Sequence, residues 1–242
     1  MKMANSILST NRILASLSPG DASRLGPLLK PVSLEQGYVI KAPGEETEHV
    51  YFPHAGTISL LCVMRNGSSV ETAIVGREGI VGAMAGLGLQ LTPMRAVAQA
   101  PVIASRIAVR PFRNAMIGSD ALRDLVLRWS EVLLAQILMT GACNALHPIG
   151  ARLARRILQA RDRIDDDAIP LTQQQLSEIL GVRRSSISEV AGTFLSMGLI
   201  RYRRGRIEIM DRAGLEQVAC ECHETIAENV ERLLSALWRG TA

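Results

Sequence analysis

Aromatic side chains are scarce in this chain of 242 residues, at 3% of the total. Proteins that bind single-stranded nucleic acid stack bases on aromatic rings, so the composition disfavours that class. No run of about 18 apolar residues occurs, which predicts no membrane-spanning helix. Residues 1–18 also lack a long apolar stretch with a small-residue cleavage site. We therefore expect no signal peptide, no membrane partner and a cytoplasmic protein.

Cysteines are few and follow no disulfide-framework spacing, as expected for reduced thiols in the cytoplasm. They are Cys62, Cys143, Cys220 and Cys222. A zinc site takes four ligands, and Cys220-Glu-Cys222-His223 offers only half of such a site. In a helix, Cys220 and His223 would share a face while Cys222 would point elsewhere. Cys143 and His147 also lack visible partner ligands, so the sequence predicts no metal and no cofactor.

Catalytic motifs are missing too. The chain has no Ser-His-Asp order, no P-loop, no dinucleotide fingerprint and no paired metal-ligand motif. Its four histidines have no clear partners along the sequence. We therefore predict that the protein is not an enzyme.

The chain does contain a helix, a glycine turn and a second helix between residues 171 and 190. Thr172 can cap the first helix, and Gly181 permits the tight turn of a helix-turn-helix. Polar residues cluster at the start of the second helix, where a recognition helix contacts bases and phosphates. A basic hairpin, predicted as a wing, follows. The residues predicted to contact DNA are Thr172, Gln173, Arg183, Arg184, Ser185, Ser186, Ser188 and Glu189, with Arg203 and Arg204 at the wing.

The positive charge favours the same interpretation. Lys2, Lys30 and Lys41 are the only lysines, so 24 of the 27 basic residues are arginine, the side chain that forms bidentate contacts with phosphate and guanine. Residues 150–212 hold 12 arginines against 8 acidic residues, which equals the whole net charge of +4. Arg183 and Arg184 at a helix N-terminus also oppose the helix dipole, and DNA contact supplies a reason for them. A two-fold symmetric duplex DNA site is the expected partner.

The first half of the chain has a different pattern. Short β-rich runs broken by glycine and proline extend from residue 31 to about 110, and Arg65-Asn66-Gly67-Ser68 is typical of a hairpin turn. The pattern predicts a β-roll of the jelly-roll type. The fold class is therefore α+β, with a sensor domain over 1–118, a dimerisation helix and hinge over 119–147, a winged helix-turn-helix over 148–212 and a C-terminal helix over 213–242.

The helix predicted after Ser119 carries an apolar stripe wider than one packing face needs, which indicates a homodimer partner. His147-Pro148 ends this helix. The residues predicted for the dimer interface are Leu122, Leu125, Val126, Trp129, Val132, Leu133 and Gln136.

Taken together, these motifs resemble the Crp/Fnr family of bacterial transcription regulators over nearly the whole chain. The DNA half carries the stronger match. In the sensor half the resemblance rests on Gly44-Glu45-Glu46, Val50-Tyr51-Phe52, Gly56-Thr57-Ile58 and Gly76-Arg77-Glu78-Gly79 followed by Gly82, in that order. The resemblance implies a homodimer that binds DNA in the major groove, with RNA polymerase as a further partner.

The departures from that family pattern argue against cyclic AMP. Members that bind it hold the ribose with a Glu and the cyclic phosphate with an Arg-Ser pair, whereas this chain has Ala83 and about Thr92-Pro93 there. A buried phosphate needs a cation, and only the neighbouring Arg95 could substitute for it. No cysteine precedes Cys62, so the family's iron–sulfur pattern is also missing. Residues predicted for an effector pocket are Glu78, Gly82, Ala83, Met84, Thr92 and Arg95, with an unknown small molecule as the effector.

Three functions remain open at this stage. The leading one is a sequence-specific, homodimeric DNA-binding regulator whose sensor pocket has diverged from cyclic AMP. The second is a DNA-independent regulatory or scaffold protein, which the arginine cluster disfavours. The third is a cyclic-nucleotide-responsive regulator in which Arg95 takes the phosphate.

Overall fold

The computed structural model describes residues 10–89, 94–164, 166–203 and 205–235. Helices α1 to α10 are Arg12–Ala15, Pro19–Leu25, Ala83–Gly86, Val109–Ile117, Asp120–Leu146, Ile149–Ile164, Gln173–Leu180, Arg184–Ser196, Arg212–Val218 and Cys222–Ser235. Strands β1 to β10 are Lys30–Leu34, Val39–Lys41, His49–Ala55, Ile58–Val63, Ser69–Val75, Met94–Ala98, Val102–Ala108, Ala168–Ile169, Ile200–Arg203 and Arg206–Ile209.

The first seven strands form two antiparallel sheets, with strand orders β1-β7-β3 and β2-β6-β4-β5. The predicted hairpin joins β4 to β5 through Gly67, whose φ of +83° suits a residue without a side chain. Strand β1 was not predicted. It contains Pro31, and it lies at a sheet edge where a missing N–H costs no ladder bond.

Helix α5 is the long helix that the sequence predicted. Ser119 caps it by accepting a hydrogen bond from the Leu122 amide at 3.1 Å. The helix is long and apolar enough for a membrane span by length and composition. However, one side of it packs into the core of the β-roll, and Arg123, Arg128 and Glu131 lie along its other surface. Its apolar composition therefore serves packing.

The C-terminal domain has its own core and also packs on the β-roll. Helices α6, α7 and α8 enclose apolar side chains together with the three-stranded sheet β8-β10-β9. The Gln36 side chain of the roll donates to the Pro170 carbonyl at 2.6 Å, and the Gly181 turn lies against Val70 of β5. These contacts place the helix-turn-helix directly beside the sensor sheet of the same chain.

The predicted single C-terminal helix over 213–242 is wrong for residues 213–235, and residues 236–242 lie outside the described residues. The structure has two helices, α9 and α10, separated at Ala219, whose extended backbone ends α9. The apolar periodicity runs through both helices, which is why the sequence concealed the break. The predicted α+β class, with roll, long helix and winged helix-turn-helix, is confirmed.

Candidate DNA-binding surface and sensor cavity

The helix-turn-helix is held by local hydrogen bonds. Thr172 and Gln175 form a reciprocal capping box at the start of α7. Gly181 ends α7 with a φ of +63°, which favours glycine. The Ser188 hydroxyl donates to Gln173 Oε1 at 2.7 Å and so ties the start of α7 to α8. Two of the predicted DNA contacts thus also fix the angle between the helices.

The N-terminal part of α8 presents the predicted polar residues to solvent. Arg183, Arg184, Ser185, Ser188 and Glu189 are exposed, while Ser186 is half-buried. On the opposite face Ile187, Ala191 and Phe194 enter the domain core. The helix therefore anchors one side and leaves a polar, positively charged side open.

The wing has the predicted form, with β9 and β10 paired and Arg203 opposite Arg206. Arg203 and Arg206 are both exposed. Farther from the tip, Arg201 forms an ion pair with Glu208 at 2.6 Å. Arg204 lies outside the described residues.

The arginines of α6 differ from the sequence expectation that the basic charge of this segment faces DNA. Arg152, Arg155 and Arg156 are buried. Arg156 pairs with Glu71 of the sensor sheet at 2.6 Å, and Arg152 donates to the Leu180 carbonyl. A net-charge count cannot distinguish these residues from surface arginines, because burial is set by the tertiary fold.

A cavity of about 550 Å³ lies between the β-roll and α5. Gly82, Ala83 and Met84 line it, as predicted, and Trp129, Ser130 and Leu133 of α5 close its far side. Its lining also includes two cations that the sequence did not single out, Lys41 and Arg106. Lys41 donates to Thr47 Oγ1 at 2.6 Å, and burial lowers its pKa. Arg106 hydrogen-bonds to Tyr51, whose pKa burial raises.

Two other predicted pocket residues, Glu78 and Arg95, do not line the cavity. Glu78 instead accepts a hydrogen bond from Arg163 of α6 at 2.7 Å, because the turn that follows β5 lies against α6. Arg95 does not line the cavity, and its Nε is buried without a hydrogen-bond acceptor among the described residues. Thr92 lies outside the described residues.

The residues predicted for the dimer interface face the chain's own β-roll. Leu122, Leu125, Val126, Trp129 and Val132 are each exposed by 4% or less. Gln136 is buried too and donates to the Ile74 carbonyl at 3.3 Å, and Leu133 packs against the same core. These side chains have little surface left for a partner. The prediction that they form the subunit interface is therefore corrected: they pack against the core of the chain's own β-roll.

Trp129 shows how closely α5 is fitted to the roll. Its indole Nε1 donates to the Ile80 carbonyl at 2.8 Å. The ring occupies the space where a side chain at Gly79 would lie, so even a Cβ there would overlap it. This close approach explains a glycine at that position.

The opposite face of α5 carries a row of exposed leucines between charged residues. It carries Leu127, Leu134 and Leu138, with exposures of 46%, 56% and 65%. Gly141 and Ala145 continue the same row. The spacing of seven between Leu127 and Leu134, and of four between Leu134 and Leu138, is typical of a helix-pairing seam.

The helix break brings together side chains that the sequence did not connect. Cys143 and His147 at the end of α5 meet Cys220 and Cys222, and their potential ligand atoms all lie within 4.8 Å of one another. His223 is not in this group, since its Nε2 contacts Asp162 Oδ2 at 3.0 Å. The two half-motifs C-x₃-H and C-x-C were the available signal, and considering each alone hid it.

A β-roll joined by a long helix to a winged helix-turn-helix defines a DNA-binding transcription regulator. Comparison with known families gives the same result: residues 31–118 match the cyclic nucleotide-binding domain and residues 151–218 match the Crp-like helix-turn-helix domain. The chain belongs to the Crp/Fnr family of transcription regulators.

Curated relatives and solved structures agree with this assignment. The chain is 25% identical over 206 residues to the global nitrogen regulator of Synechococcus elongatus, covering 80% of this chain and 92% of that protein. It is 24% identical over 231 residues to the CRP-like cAMP-activated global transcriptional regulator of Mycobacterium tuberculosis, covering 88% and 98%. A structure from Eubacterium rectale assigned to the Crp/Fnr family superimposes with a TM-score of 0.69 at 14% identity, covering 85% and 96%.

Proposed function

We propose that the protein is a homodimeric, sequence-specific DNA-binding regulator whose sensor cavity takes an effector other than cyclic AMP. The observation that carries the DNA part is the exposed N-terminal face of α8, where Arg183 and Arg184 are uncovered and outside the ion pairs of the described residues. We assign Arg184 to a guanine, which an arginine contacts through two hydrogen bonds, because it is exposed at the start of α8. A protein that binds DNA in this way would work in the cytoplasm.

The dimer seam we propose is the exposed row of α5 containing Leu127, Leu134 and Leu138. Leaving such a row in water is costly for a monomer, and pairing it with a second copy buries it. A two-fold arrangement would set the recognition helices about 34 Å apart, one turn of B-DNA. RNA polymerase is the partner that the family resemblance adds.

The proposed effector response runs through α5. Since Trp129, Ser130 and Leu133 form one side of the cavity, a ligand that fills it would favour one position of the helix over another. A change in helix position alters the separation of the two recognition helices and hence DNA affinity. Lys41 and Arg106 would favour an anionic group on the ligand.

Selection of bound fragments from random duplex DNA tests the proposal. We expect an inverted repeat whose half-sites lie one helical turn apart, with affinity that falls steeply as salt is added. A protein that binds no duplex at low ionic strength would favour the DNA-independent scaffold role instead.

Two further measurements separate the remaining alternatives. Leu134→Glu with Leu138→Glu should give monomers in sedimentation, whereas Arg128→Glu on the same helix is the matched charge control. Cyclic AMP should give no thermal shift; a saturable rise in Tm would support the cyclic-nucleotide alternative, with Arg106 rather than Arg95 at the cavity.

A further inference from the structure

We propose that Cys143, His147, Cys220 and Cys222 bind one Zn²⁺ ion at the junction between the long helix and the C-terminal helices. This site is separate from both the DNA surface and the sensor cavity, and it does not depend on the function proposed for either. Among the described residues, these four form the group of metal-ligating side chains that converge closely enough for one ion.

Two of the six distances between the ligand atoms match the edges of a tetrahedral site, and all six are within 4.8 Å. The Sγ atoms of Cys143 and Cys220 lie 3.5 Å apart, and Cys222 Sγ lies 3.6 Å from His147 Nδ1. With zinc–sulfur bonds of about 2.3 Å and zinc–nitrogen bonds of about 2.0 Å, a tetrahedron has edges of about 3.5–3.8 Å. Two pairs of ligand atoms are therefore already at the separation that a shared ion requires, and the remaining pairs need to close by at most about 1 Å.

The backbone explains why the four side chains converge. Cys143 and His147 are four residues apart and so share one face at the end of α5. The break between α9 and α10 directs both Cys220 and Cys222 toward that face. All three cysteines are buried, and Met139 and Ala151 pack around them.

The surroundings suit a metal-bound histidine. His147 Nδ1 faces the thiols, while its Nε2 lies 3.2 Å from Glu221 Oε2. A carboxylate on the outer nitrogen is the usual partner of a zinc-ligating histidine, because it fixes the ring orientation and the tautomer. Glu221 lies between the two cysteine ligands in the sequence, so one short segment would supply two ligands and this carboxylate.

A buried arginine next to the group offers charge compensation. Zn²⁺ with three thiolates and a neutral imidazole carries one net negative charge. Arg155 is 4% exposed and its Nη1 donates to Gln159 Oε1, but its Nε has no hydrogen-bond acceptor among the described residues. Arg155 is close enough for its charge to act on all three thiols. A buried cation at this position would offset the negative charge of a zinc–thiolate centre.

The donor set and its size favour zinc over other occupants. Three thiolates and an imidazole in tetrahedral reach are typical of structural zinc. An iron–sulfur cluster has its iron and sulfide atoms between the cysteines, and side chains all within 4.8 Å of one another leave room for a single ion. The ion would join the end of α5 to the α9–α10 junction and so stiffen the hinge at His147-Pro148.

Metal analysis of the full-length protein tests the site. We expect one zinc per chain in protein purified under reducing conditions without a polyhistidine tag. Replacement by Co²⁺ should give the visible bands of tetrahedral cobalt together with thiolate charge-transfer absorption. In the presence of micromolar chelator, the Cys220→Ser protein should lose its zinc. The Cys62→Ser protein, which changes the remaining cysteine on β4, should retain it.

A second pair of variants covers the case in which Cys220→Ser does not fold. His147→Gln should weaken zinc binding at least 100-fold in competition with a chromophoric chelator, and Glu221→Gln should weaken it about 10-fold. The proposal is overturned if wild-type protein offered Zn²⁺ and a reductant binds less than one ion per chain. It is also overturned by zinc that survives the His147 and Cys220 changes, or by a native Cys143–Cys220 disulfide in place of metal.

Discussion

The arginines of α6 and those of α8 are close in sequence and serve opposite purposes. On α6, Arg156 is 1% exposed and pairs with a glutamate of the sensor sheet. On α8, Arg183 and Arg184 are exposed. The first kind stabilises the contact between two domains of one chain, and the second is available to an anionic partner. The comparison teaches that an arginine-rich segment is not uniformly a nucleic-acid surface, because each guanidinium's partner depends on which side of the helix it occupies.

Breaking the buried ion pair between Arg156 and Glu71 should have the largest effect, which is on the stability of the fold. Arg156→Ala leaves Glu71 at 6% exposure without its cation, which we expect to lower the free energy of unfolding by ~3–5 kcal/mol. Chemical denaturation measures this loss. The double variant Arg156→Met with Glu71→Leu should recover most of it, and a failure of that rescue would contradict the ion pair's assigned role.

Removing the exposed arginine should affect binding instead. We expect Arg184→Ala to weaken binding to the selected site by ~1–3 kcal/mol and to relax preference at one base pair. Its unfolding free energy should stay within about 0.5 kcal/mol of wild type. Unchanged sequence preference in a repeat selection would refute the base contact.

The wing should contribute less to DNA affinity than Arg184 does, and its contribution should not depend on the DNA sequence. Arg203→Ala should weaken binding about equally on all duplexes and reduce the salt dependence of log K by about one phosphate contact. Affinity titrations at several salt concentrations provide the slope. A change confined to one base pair would show that the wing contacts a base instead.

The smallest effect should come from Asp162, which receives hydrogen bonds from His223 and Arg212. Burial raises its pKa, but these partners outweigh burial and lower it to about 2. Because the pKa of Asp162 is lower in the folded than in the unfolded protein, its ionised form stabilises the fold at pH values above the unfolded-state pKa. This stabilisation is lost as the pH falls toward 2. We expect Asp162→Asn to cost under ~1 kcal/mol at neutral pH, since the pair is partly exposed. Urea melts of both proteins should converge between about pH 4 and pH 2.

Sequence periodicity predicted the recognition helix and most of the other helices and strands, but it missed strand β1 and the break between α9 and α10. The Thr172 cap and the Gly181 turn are local signals, and the structure has both. The assignments that failed were those of the apolar stripe of α5 and of the arginines of α6, where the sequence does not show which face is buried. Val132 and Trp129 belong to a stripe that is apolar on two sides, and only the packed roll shows which side is internal. The Cys143–Cys220 contact spans 77 positions and crosses a helix break, so neither half-motif alone could show that the two meet.

The position of Trp129 also allows ligand binding in the sensor cavity to be followed by tryptophan fluorescence. Its indole lies at the cavity wall and is almost wholly shielded from water, so its emission should be blue-shifted and sensitive to anything that enters. The chain has one other tryptophan, Trp238. A Trp238→Phe protein would therefore carry a single intrinsic fluorophore, against which candidate effectors can be screened in solution without a label.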